Sequence, residues 1–114
     1  MIDGLQYFRA KKIGILGFGA EGKALLDFFL KHDIIPSVYD VKEQVREFLP
    51  PNFKGQFVSG PAYLDSLDNL DVVFRSPGIP RDTKQLLNAE KKGVEISSAT
   101  KLFFKLCRGQ IVGV

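Results

Sequence analysis

Lys12-Ile13-Gly14-Ile15-Leu16-Gly17-Phe18-Gly19-Ala20-Glu21-Gly22 decides the fold. Its first five residues read as a short buried strand. From Ala20 the apolar positions Leu25, Leu26, Phe28, Phe29 and Leu30 recur at helical spacing beside Lys23, Asp27 and Lys31. A glycine-rich turn joining a strand to a helix suits an anion. Gly17 permits the tight turn, Gly19 lets backbone approach a phosphate, and Gly22 lets helix and strand pack closely. The free N–H groups at the helix start then face the anion with the helix dipole behind them.

Downstream, Ile34-Ile35-Pro36 stops the helix near His32-Asp33. Ser37-Val38-Tyr39-Asp40 forms a second strand that ends on a carboxylate, at the spacing expected for a group gripping a ribose hydroxyl. The alternative is a glycine turn with no ligand and an Asp40 that is only a solvated strand end. The pattern continues with a short helix over Val41 to Leu49 and a strand at Gly55 to Ser59. A mixed segment from Tyr63 to Leu70 precedes a strand at Asp71 to Phe74. An amphipathic helix spans Thr83 to Lys92, with Leu86, Leu87 and Ala89 inward and Gly93 as its stop. Val94-Glu95-Ile96 is a fifth strand. Ser98 caps a last helix, Ala99 to Cys107, and a further strand begins at Ile111-Val112-Gly113-Val114. Alternating strands and helices predict an α/β, Rossmann-like, doubly wound and mainly parallel five-stranded sheet with helices on both faces.

Composition narrows the function classes. The 114 residues suffice for one core; 45% are hydrophobic and 25% charged, as in soluble globular proteins. The net charge of +3 is dispersed, which permits an anionic ligand without calling for nucleic acid. Ten Phe and no Trp suit core filling better than base stacking. The single Cys107 excludes an internal disulfide and a multi-cysteine zinc site, and reads as a buried inert thiol. The lone His32 reads as a surface histidine at a helix end. No apolar run approaches a membrane span and no signal segment is evident, so a cytoplasmic protein is expected.

A second constellation is Arg75-Ser76-Pro77-Gly78-Ile79-Pro80, after the fourth strand. In an open α/β sheet that strand end lies beside the first glycine turn, at the switch point where ligands bind. Ser76 and the Gly78 N–H offer hydrogen bonds, Pro77 and Pro80 stiffen the loop, and Arg75 is either a bidentate phosphate partner or a surface charge.

Taken together, the glycine turn, Tyr39-Asp40, Ser76-Pro77-Gly78-Ile79, the stretch from Ser97 to Phe104 and Ile111 to Val114 resemble the N-terminal domain of the Mur ligases, in their D-glutamate-adding branch. The likeness runs from about Lys11 to Val114, and the Ser-Pro-Gly-Ile loop is its most discriminating part. The resemblance implies a domain that holds the UDP part of UDP-N-acetylmuramoyl-L-alanine. ATP and magnesium would bind a central domain, and D-glutamate a third. By position, Ala20 and Glu21 match backbone contacts to the diphosphate. Asp40, Val41 and Lys42 match the uridine end, and Ser76, Pro77 and Gly78 match the loop closing over the nucleotide. Glu21 departs from the Ser or Thr common there, so its side chain is expected to turn to solvent or toward Lys23 or Arg75, with Arg75 compensating at the diphosphate.

Residues 1–109 are thus expected to form the UDP-binding domain, and 110–114 to begin the first strand of the ATP-binding domain. The isolated chain is expected to carry no catalytic residue, metal or cofactor of its own. It is expected to be a monomer, with association through the 111–114 strand as the exception. The competing readings are a stand-alone nucleotide-sensing module, dimeric and regulatory, and the N-terminal domain of a dehydrogenase binding NAD.

Overall fold

A computed structural model describes residues 8–103. Cys107, the expected domain boundary after residue 109 and the expected strand at Ile111 to Val114 lie outside the described residues, as does the end of the last helix.

The first strand, β1 (Ile13–Leu16), is buried along its whole length and leads through the glycine turn into helix α1 (Ala20–Lys31). Strand β2 (Ser37–Asp40) follows, then a 3₁₀ run (Glu43–Phe48) and strand β3 (Phe57–Ser59). A 3₁₀ turn (Leu67–Asn69) leads into β4 (Val72–Arg75), helix α2 (Lys84–Lys91) and β5 (Glu95–Ser97). A final helix covers 99–103, within the described residues. The sheet order is β3-β2-β1-β4-β5, and all four pairings are parallel. The expected doubly wound sheet is therefore the observed one.

Strand alternation splits the core into two faces. Ile13, Ile15, Val38, Val72 and Phe74 pack with Leu25, Leu26 and Phe29 of α1 and with Ala99 and Leu102 of the last helix. Leu16, Tyr39, Val73 and Ile96 pack on the other face with Leu86 and Ala89 of α2 and with Leu64, Leu67 and Leu70. Burial on both faces is why these strands read as continuous apolar runs. The buried positions of α1, Gly22, Leu25, Leu26 and Phe29, form a single helical stripe.

Three details differ from the sequence reading. Leu87 does not point inward but is 42% exposed, because Leu86 and Ala89 alone fit the face that α2 turns to the sheet. The segment after β2 winds as 3₁₀ rather than α-helix, and only Val45 of it is buried. One apolar anchor is too little to hold a longer amphipathic helix. Phe8 and Arg9, to which no element was assigned, are helical. Phe8 packs its ring edge-on to Phe29 and beside Phe74, and Arg9 donates to the His32 carbonyl at 2.9 Å.

His32 does end α1, half-buried, with its ring tilted against that of Phe28 at 4.8 Å. Gly93, with φ +101°, stops α2. The Ser98 hydroxyl accepts from the Lys101 N–H at 3.2 Å, as expected of an N-cap.

Candidate functional site

The strand order reverses between β1 and β4, so the loops that leave their carboxyl ends stand side by side. Leu16 and Arg75 are register partners, and the Ser76 N–H donates to the Leu16 carbonyl at 3.0 Å just beyond them. The two loops then touch. Gly17 has φ +85°, and a Cβ placed on it would lie 2.8 Å from the Ser76 Cβ. Glycine is required there twice over, by conformation and by its neighbour.

Gly22 is required for a different reason: a Cβ there would collide with the Gly17 carbonyl oxygen and press on Ile15. The third glycine thus sets how closely α1 approaches β1, as expected.

Gly19 is the informative one. Its φ of −85° is open to any residue, and a Cβ on it would meet nothing within 4 Å. Nothing in the fold asks for glycine at this position. It precedes α1 directly, and no side chain caps that helix. The first N–H groups of α1 therefore have neither an intrahelical partner nor a side-chain cap. Ala20 and Glu21, the first two helical residues, are both exposed. Glu21 is exposed and forms no ion pair with Lys23 or Arg75 among the described residues.

Asp40 ties the turn to the second strand. One carboxylate oxygen accepts from the Phe18 N–H at 2.7 Å, and the other from the Lys42 N–H at 2.8 Å. The Gly17 N–H also donates to the Tyr39 carbonyl at 2.7 Å. Hydrogen bonds to a carboxylate are among the stronger ones in proteins, so Asp40 fixes both the turn and the chain that leaves β2. Val41 and Lys42 lie exposed beside it, Val41 at 50%.

The loop after β4 is fastened by its own side chains. The Ile79 N–H donates to the Ser76 carbonyl at 3.0 Å, closing a turn with Pro77 at its second position, the place proline favours. The Gly78 N–H reaches the Ser76 hydroxyl at 3.4 Å. Arg75 curls over this turn and donates from Nη1 to the Ile79 carbonyl at 2.8 Å and, at 3.5 Å, to that of Ser76. That nitrogen, expected to face a phosphate, is spent on the loop. Its Nε is buried without a hydrogen-bond partner. Ile79 anchors the loop by burying its side chain in the α2-side core. Between the two loops lies a narrow cleft lined by Gly17, Glu21, Gly22, Arg75, Ser76 and Ala99.

All twelve residues singled out in the sequence, Gly17, Gly19, Ala20, Glu21, Gly22, Asp40, Val41, Lys42, Arg75, Ser76, Pro77 and Gly78, therefore lie at the carboxyl rim of three adjacent strands, on the strand ends, the loops that leave them and the first turn of α1. One neighbour was missed. Tyr63, on the loop after β3, is half-buried against the α2-side core, and its phenol is pushed above its ordinary pKa by burial and by the charge of Asp40. Its sequence surroundings carry no periodicity or motif that would have singled it out. No group of three or more potential metal ligands occurs among the described residues, and no described helix is long and apolar enough to cross a membrane.

Comparison with known proteins agrees with this arrangement. The family model for the Mur ligase MurD-like N-terminal domain matches residues 11–98. The UDP-N-acetylmuramoylalanine–D-glutamate ligase of Clostridium kluyveri is 34% identical over 118 aligned residues, covering 98% of this chain and 25% of that protein. The ligase of the same name from Acetivibrio thermocellus is 31% identical over 108 residues, covering 91% and 23%. The chain thus spans about a quarter of the length of the curated relatives it matches. Among solved structures, UDP-N-acetylmuramate–alanine ligase MurC from Thermotoga maritima superposes with a TM-score of 0.64 at 19% identity, over 88% of this chain and 24% of that one. Shikimate dehydrogenase from the same organism gives 0.54 at 16% identity, over 97% and 56%. At those identities the two structures speak to the fold alone. With the family model spanning all five strands and both loops of the switch point, the chain belongs to the MurD-like N-terminal domain family of the Mur ligases.

Proposed function

We propose that this chain holds the UDP portion of UDP-N-acetylmuramoyl-L-alanine, as the substrate-binding domain of a ligase that adds D-glutamate in peptidoglycan synthesis. The observation that carries the reading is Gly19. It is a glycine the fold does not need, at the start of an uncapped helix, facing open space. A close-approaching anion supplies the missing reason for glycine. In this reading the diphosphate sits on the N–H groups at the start of α1, and the Ser76 loop closes from the β4 side. The uridine lies toward Asp40, Val41 and Lys42, where exposed Val41 offers an aliphatic surface to the base. Arg75 serves by holding the loop.

The chain binds a handle and catalyses nothing by itself. ATP, magnesium and D-glutamate are handled by other domains of the same cytoplasmic ligase, with which this domain acts in cis as a monomer. Titration of the 114-residue chain with UDP, UMP and NAD, followed by amide NMR shifts, tests this. UDP should shift Gly17 to Gly22 together with Ser76 to Ile79. A preference for NAD with no response in the Ser76 loop overturns the ligase reading. Gly19→Ala should leave stability within about 0.5 kcal/mol of wild type, as for a surface change that meets no atom. It should nevertheless weaken UDP binding severalfold, because its methyl occupies the space the diphosphate needs.

A further inference from the structure

The rim of the sheet has a fourth loop, after β3, that the site above does not use. Asp40 and Ser59 are register partners on β2 and β3, so the chain leaving β3 starts level with the carboxylate. Gly60, at φ +97°, turns that chain, and its N–H donates to the Val41 carbonyl at 3.3 Å. The loop is thereby tied to the residue next to Asp40. The Tyr63 N–H then donates to the Gly60 carbonyl at 3.1 Å, closing a tight turn. The Tyr63 ring is half-buried against the α2-side core, which holds it in place. It is close enough to Asp40 to feel that charge. Its hydroxyl makes no hydrogen bond to any described residue, although buried and half-buried phenols commonly find a partner. Asp40, for its part, has accepted two hydrogen bonds of the roughly four a carboxylate can take. A held but unpartnered hydroxyl beside a carboxylate with spare acceptor capacity is a pair suited to a sugar diol.

We propose that Tyr63 is a specificity-determining residue of the nucleotide site, its hydroxyl hydrogen-bonding the ribose of the bound nucleotide beside Asp40. This rests on the nucleotide reading above. The loop after β3 then completes the nucleoside end of the site, while the glycine turn and the Ser76 loop serve the phosphates.

The test is Tyr63→Phe in the 114-residue chain, which removes one oxygen and keeps the ring that packs on the core. Affinities for UDP and for inorganic pyrophosphate are measured on wild type and variant by NMR titration. Loss of one hydrogen bond to a ligand should raise the UDP dissociation constant roughly three- to tenfold, with pyrophosphate unchanged. Equal UDP affinity in the variant overturns the assignment and leaves the nucleotide reading standing. An equal loss for UDP and pyrophosphate also overturns it, because the phenol would then act on the shape of the whole site. Failure of the wild type to bind UDP at all removes both readings.

Discussion

The two loops that meet at the switch point reach the same rigidity by opposite means. The turn after β1 is shaped by missing side chains. Gly17 makes room for Ser76, Gly22 makes room for the Gly17 carbonyl, and the one side chain that braces the turn, Asp40, comes from another strand. The loop after β4 is shaped by the side chains it carries: Arg75 holds two of its carbonyls, the Ser76 hydroxyl receives the Gly78 N–H, and Ile79 is sunk in the core. A turn built from absences is damaged by adding atoms, and a loop built from presences by removing them.

That contrast is broken most forcefully at Gly22. Gly22→Ala puts a methyl onto a backbone oxygen that cannot swing aside, so α1 must shift away from β1. Urea unfolding should show a loss of about 2–3 kcal/mol, at the upper end of overpacking costs; a change under 0.5 kcal/mol would mean that α1 slides freely. On the other loop the damaging change is a deletion. Arg75→Ala frees the Ile79 and Ser76 carbonyls and should cost about 1 kcal/mol, since the side chain is only half-buried. Faster hydrogen exchange confined to residues 76–79 would be its signature, and a uniform rise across the sheet would contradict it.

The smallest expected effect concerns the tyrosines behind the site. Tyr39 is raised above the ordinary phenol pKa of 10.0 by burial, against a lowering contribution from its hydrogen bond with Ser37. A phenol that holds its proton more tightly when folded contributes stability that is intact below pH 10.0 and is lost as pH rises through the folded value. Wild type should therefore weaken above pH 10 more steeply than Tyr39→Phe in paired urea titrations. Parallel curves would show that the phenol is as solvated folded as unfolded.

The same contrast explains what could be read from the sequence. Absences leave a spaced signature: Gly17, Gly19 and Gly22 stand at intervals set by the strand-to-helix turn, and the alternation of apolar strands and helices around them marked a doubly wound sheet. The placement of Asp40 followed from the length of one strand-helix-strand unit. Presences leave no such spacing. Arg75 reads equally as a phosphate partner and as a surface charge until its distance to the Ile79 carbonyl is known, because a long flexible side chain does not declare its partner. Tyr63 could not be found for a related reason. Its position depends on how the irregular loop after β3 is tied to Val41, a contact between backbone groups that no side-chain pattern encodes. Leu87 misled because an eight-residue helix presents two adjacent leucines of which only one can face the sheet.

The Asp40 latch has a consequence for timing. A carboxylate held at 2.7 Å from the Phe18 N–H keeps a fixed negative charge just behind the place where a phosphate would rest, and removes that N–H from the donors a phosphate could claim. The group that shapes the seat in advance therefore also pushes against its occupant. On the proposed reading, a seat formed in advance needs no rearrangement when the nucleotide arrives, and the repulsion favours its departure.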